Sequence, residues 1–209
     1  MRSVQPWRRK QRGRVVKKMA VLIDHLESRL GRLVGAWSVR DGAPEGAAEV
    51  GYFTGGVLDG VQSYATTTLH RTHLVSPTTG DPQHLELLGC THPVAGDEYG
   101  PFPGVLEWAA ERLATSGTAV LRGDVVPLPM PLRPGGTLTH LYAAMPVYFD
   151  DDFFSVDLEN GTHVSVVWLV PLHGVEADYV TKKGWPAFEE ELTKQDPDLF
   201  DLDRPPMSL

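Results

Sequence analysis

Two runs of alternating apolar residues, Phe154, Val156 and Leu158, then Val164, Val166 and Trp168, flank the pair Asn160-Gly161. That arrangement specifies a β-hairpin, because alternation builds two half-buried strands and Asn-Gly supplies residues able to take positive φ at a tight turn. The returning strand runs on through Val170, which reads as a central strand. Around this hairpin, 17 prolines and 21 glycines are spread along 209 residues rather than pooled. They keep the elements short and joined by turns, which excludes a bundle of long helices. With 42% hydrophobic residues the chain supports one sizeable core and is too short for two.

Other elements follow from periodicity. Leu22, Leu26, Leu30 and Leu33 line one face of a helix from about Met19 to Val34, with Gly35 as its stop. Val50, Tyr52 and Phe53 predict a strand, Val61 to Leu69 another, and His84 to Cys90 a third. Pro101 and Pro103 open a second helix, where Val105, Leu106, Ala109, Ala110 and Leu113 recur at helical spacing before Ser116-Gly117. Of the runs Ala119–Leu121 and Val125–Leu128, interrupted by prolines, one is an edge strand or loop. Strand character resumes over Leu138–Met145. Beyond Pro171, Val175, Tyr179 and Val180 predict a helix stopped at Gly184, and Phe188 and Leu192 mark the inner face of another, opened by Pro186 and closed by Asp196-Pro197. The fold class is α/β of the α+β type: a mixed, mainly antiparallel twisted sheet with flanking helices.

Charge is distributed unevenly. Residues 1–18 hold eight of the nineteen basic side chains and no acid, so eleven basic against twenty-seven acidic residues leave the remainder at −16. Such a body repels nucleic acid and membrane surfaces and attracts a basic partner over long range. The leader is read as a disordered basic arm ahead of a domain spanning 19–206; it is a solvated tail, a nucleic-acid contact, or sequence upstream of a start at Met19. The single cysteine, Cys90, forms no intrachain disulfide, and the apolar stretch Met19–Ile23 is too short for a membrane span. A cytoplasmic location is expected.

The C-terminal third carries a specific order of residues. Trp168-Leu-Val-Pro171-Leu172 precedes Glu176, then come Gly184-Trp-Pro-Ala-Phe188 and the ending Asp201-Leu-Asp-Arg204-Pro205. This order resembles the end of a suppressor of fused domain, and looser likeness extends over Met19 to Pro206. The resemblance implies a non-enzymatic α/β domain that sequesters a protein ligand. For bacterial members it implies an immunity protein that binds and neutralises a cognate toxin, with no cofactor.

Candidate partner-binding residues are the acidic run Asp150, Asp151 and Asp152, with Tyr148 and Phe153 as apolar anchors among the flanking aromatics. Three consecutive carboxylates lack the spacing of a calcium loop. The competing reading is a small hydrolase or metal-dependent enzyme centred on Cys90 and His92 with one of His70, His73 or His84. Against it, Cys90 lies in an apolar strand, where thiols are usually buried and inert, and structural zinc needs closely paired ligands. No metal or catalytic residue is assigned.

Overall fold

The computed structural model describes residues 5–6, 15–39, 42–43 and 46–209, with backbone only for 5–6 and 15–20. In chain order the elements are β1 (Gln5–Pro6), α1 (Val15–Leu30), β2 (Gly31–Trp37), β3 (Val50–Gly55), β4 (Gln62–Thr66), a single 3-10 turn (Leu69–Arg71), β5 (Leu74–Val75), β6 (Pro82–Gln83) and β7 (Leu85–Thr91). They continue with α2 (Phe102–Ser116), β8 (Val125–Pro127), β9 (Leu138–Ala144), β10 (Ser155–Asp157), β11 (His163–His173), α3 (Gly174–Lys183) and α4 (Trp185–Gln195). Most of the basic leader, residues 1–4 and 7–14, lies outside the described residues. Among the described residues no helix is long and apolar enough to cross a membrane.

One sheet runs in the order β1-β2-β3-β4-β7-β11-β9-β8, with β10 also paired to β11. Its pairings are antiparallel except that of β7 with β11, where Leu85–Leu88 lie parallel to Ser165–Trp168. The expected hairpin is β10 and β11, with Ser155 opposite Ser165, and β11 is central as the alternation implied.

Alternation also sorts the core. On β11, Val164, Val166, Trp168, Val170 and Leu172 face one side, where they pack with Leu22, Leu26 and Leu30 of α1, Val180 of α3 and Phe188 of α4. Leu169 faces the other side with Leu85 and Leu87 of β7 and with Phe102, Leu106 and Ala110 of α2. Helices therefore cover both faces of a sheet buried on each side.

The sequence places the end of the first helix too late. The chain leaves the helix after Leu30, and Val34 and Gly35 belong to β2. Gly31 has φ +87, and a Cβ there would stand 2.3 Å from the carbonyl oxygen of Thr54, so only glycine turns the chain from helix into strand at this point. Leu33, at helical spacing from Leu30, reaches the same core from a strand. The predicted strand Val61–Leu69 stops at Thr66 for a second reason. Buried Glu86 accepts hydrogen bonds from the hydroxyl of Thr66, the backbone N–H groups of Leu69 and His70 (both 3.2 Å) and Nδ1 of His70 (2.5 Å), which winds residues 69–71 into a turn.

Beyond Leu88 and Trp168 the parallel strands no longer pair, and the C-terminal segment bridges their ends. The N–H of His92 and the hydroxyl of Thr91 donate to the carbonyl of Phe200, while Nη2 of Arg204 donates to the carbonyl of Pro171. Leu199 and Met207 enter the core on one face and Leu202 the core on the other. Holding this segment is a buried ion pair. Arg204 grips both carboxylate oxygens of Glu176, at 2.6 and 2.7 Å, and Glu176 also accepts the N–H groups of His173 (2.9 Å) and Met207 (3.0 Å). Burial by itself would raise the Glu176 carboxyl; Arg204 and the two N–H groups outweigh it and hold the group below its ordinary range.

Removing one partner strands the other charge in the core. Arg204→Ala is expected to lower the unfolding free energy by about 3–5 kcal/mol in urea titrations. Because the folded carboxyl is depressed, its stabilisation is complete above the ordinary carboxylate range and drains away as pH falls through the folded value. The wild-type urea midpoint should therefore drop below about pH 4 more steeply than that of Glu176→Gln.

Candidate functional site

The loop from Met145 to Phe154 joins β9 to β10 and carries the predicted partner-binding residues. Its shape is set by a clamp. Arg29, on the last turn of α1, donates through Nε to Asp150 (3.0 Å) and through Nη2 to Asp152 (3.1 Å). Both carboxylates remain largely exposed, so the clamp is worth little in stability and acts by fixing where the loop lies. Asp151, between them, is exposed and has no hydrogen bond or ion pair among the described residues. The acidic run is thus three carboxylates sharing one guanidinium, and among the described residues Asp151 is the one that Arg29 does not touch.

The aromatics divide. Tyr148 is 41% exposed, as expected for an anchor, and Val147 beside it is 70% exposed. Phe153 is only 1% exposed and belongs to the core, which corrects its expected role. It packs 4.5 Å from the Phe149 ring and stacks at 5.4 Å on His25, whose Nε2 donates to its carbonyl at 2.9 Å. The loop leaves Tyr148 exposed and buries Phe153, a distinction that a cluster of aromatics in sequence does not display.

Behind Tyr148 lies a cleft of about 410 Å³ between this loop, β11, α4 and the segment after α4. Val147, Trp168, Val170, Leu192 and Leu199 give it apolar walls, and Glu189 and Asp196 lie at its polar margins. Rings of Trp168, Tyr148 and Phe200 cluster at centroid distances of 5.2–5.8 Å. The indole N–H of Trp168 is buried without a hydrogen-bond partner among the described residues. Leaving such a donor unpaired costs about 1–3 kcal/mol. Burial raises the Tyr148 phenol, and the negative charges of Asp196 and Asp198 add to the shift, so the cleft margin is electrostatically negative.

Neighbouring charges are mostly compensated. Glu189 accepts from Tyr142 (2.8 Å) and from Arg122, which also lies 4.4 Å over the ring of Trp185. Trp185 packs in turn against Gly123, so it serves structure at the start of α4. Asp198 pairs with Nε2 of His92 at 2.8 Å, and this bond raises the imidazole above its ordinary value.

The residues of the enzymatic reading do not converge. Cys90 is 1% exposed, its thiol is 3.6 Å from the hydroxyl of Ser63, and burial pushes it up to about 12. His92 is committed to Asp198, His70 to Glu86, and Nδ1 of His84 donates to the carbonyl of His70 (2.8 Å); His73 is exposed. Among the described residues no group of three or more His, Cys, Asp or Glu side chains could hold a metal ion.

Residues 52–205 match the family described as Suppressor of fused protein (SUFU). No curated protein sequence matches the chain significantly. The fold is similar to that of a protein described as a SUFU homologue from Neisseria gonorrhoeae FA 1090, with a TM-score of 0.72 and 14% identity over 93% of this chain and 98% of that one. It is similar to a chain of the Sufu-Fu complex, with a TM-score of 0.65 and 15% identity over 92% of each chain. Drosophila Suppressor of Fused gives a TM-score of 0.65 and 15% identity, over 92% of this chain and 51% of that one. The chain therefore spans about half of the Drosophila protein.

A buried thiol of this kind is unreactive. Native Cys90 is expected to react with iodoacetamide at neutral pH at least about 100-fold more slowly than in the protein unfolded in guanidinium, measured by mass spectrometry. Equal rates would revive a nucleophilic role.

Proposed function

The chain belongs to the suppressor of fused family, and from that premise we propose that it is a non-enzymatic protein-binding domain that captures a basic protein, acting as an immunity protein that neutralises a cognate toxin. The observation that carries this reading is the loop after β9, where Val147 and Tyr148 stand exposed beside Asp151, on a backbone fixed by the Arg29 clamp. An apolar anchor next to an unmatched charge, on a preorganised loop, is the composition of a binding hot spot. Net charge supports the choice of partner: the body beyond the leader stands at −16, and toxins that cut nucleic acid tend to be basic, so encounter is accelerated at low salt. A protein of similar fold is known in the Sufu-Fu complex, which supports protein rather than small-molecule capture. Capture in the cytoplasm fits a lone, buried, reduced thiol.

Co-expression with the product of the adjacent open reading frame tests the proposal. Expected are rescue of growth and a co-purifying 1:1 complex, weakened about tenfold or more by Asp151→Lys, which removes no internal contact. A toxic neighbour that is neither bound nor neutralised would overturn the toxin reading.

A further inference from the structure

We propose that the cleft between the loop after β9 and the end of α4 receives one apolar side chain of the partner, and that a lysine or arginine adjacent to it in the partner's sequence is held by Asp196. This assignment rests on the protein-binding reading above and gives it a second contact, separate from Asp151.

Three observations converge on the cleft. Its volume of about 410 Å³ falls within the 300–1,000 Å³ of ordinary ligand sites, and its walls at Val147, Val170, Leu192 and Leu199 are apolar. The charge at its margin is selective. Glu189 is matched by Arg122 and Asp198 by His92, whereas the carboxylate of Asp196 has no cationic partner among the described residues. Asp196 also ends α4 at φ +43, in the left-handed region where glycine is the least costly choice and a carboxylate adds charge at the expense of strain. Finally, Trp168 lines the cleft beside the exposed Tyr148, whose ring meets it at 5.6 Å, so an aromatic wall is in place for an apolar side chain. An anionic occupant is disfavoured by Asp196 and by Asp198, and a purely apolar one leaves Asp196 unmatched.

The probe is a short fluorescein-labelled peptide with one leucine flanked by arginine and lysine, titrated against the full chain by fluorescence anisotropy. Asp196→Asn keeps a residue that tolerates the left-handed conformation, and Val147→Lys alters a side chain already in solvent, so both variants keep the fold. Each is expected to weaken peptide binding about tenfold or more, as is alanine in place of the peptide's leucine. Unchanged binding after the leucine is removed would reduce the attraction to bare charge and overturn the cleft. The same variants in the co-expressed complex separate the two levels. A complex that survives both variants overturns the cleft and leaves protein binding standing, whereas wild-type protein that captures no partner overturns the reading beneath it.

Discussion

The pair between Glu176 and Arg204 is the constraint on which the C-terminal architecture depends. Two buried charges are a poor source of net stability, since their desolvation consumes most of their attraction, but either one alone in the core is untenable. The segment that carries Arg204 must therefore return to α3 whenever the domain is folded. In returning it bridges the ends of β7 and β11, places Leu199 and Met207 against one face of the sheet and Leu202 against the other, and sets Phe200 beside Trp168. The wall of the cleft at Asp196 and Leu199 is in that position because Arg204 is anchored a few residues further on. A contact chosen for specificity rather than strength thus positions one wall of the cleft.

Much of the fold was legible because alternation and helical spacing are strong signals wherever an element has one environment per face. The β10–β11 hairpin, β7, α2, α3 and α4 all lie close to where their apolar spacing puts them. Errors arose where a long-range contact overrode a local pattern. Leu33 keeps helical spacing with Leu30, yet the close approach of Thr54 to Gly31 ends the helix between them. Val61–Leu69 has the composition of one strand, yet the Glu86 carboxylate, three strands' worth of sequence away, draws residues 69–71 into a turn. The segment after α4 carries no periodic signal and yet is core, because its four buried side chains, Leu199, Leu202, Arg204 and Met207, follow neither period.

The candidate site was legible in composition and not in geometry. An acidic run flanked by aromatics singled out the loop after β9, but nothing local announces that Arg29, some 120 residues earlier, ties down Asp150 and Asp152 and, among the described residues, leaves Asp151 without a partner. Phe153 and Tyr148 are equivalent in sequence and opposite in the fold. Asp196 was seen only as a helix stop, and Trp168 only as a strand residue, because a cleft assembled from a loop, a strand, a helix and the segment after it has no signature in any one of them.

The parallel pairing at the centre of the sheet has a kinetic consequence. Leu85 and Ser165 are neighbours in space but eighty residues apart in the chain, and every strand to one side of that seam precedes β8 and α2 in sequence while β9, β10 and β11 follow them. The β2–β3–β4–β7 meander and the β8–β9–β11 group can each form from nearby partners, but joining them requires closing a long loop before any of the seam's hydrogen bonds is gained. Folding should then proceed as two preformed half-sheets that dock slowly. In the interval the unpaired edges of β7, rich in leucine, and β11, rich in valine, are open to pairing with other chains, so the seam is where a crowded or overexpressed preparation would begin to aggregate.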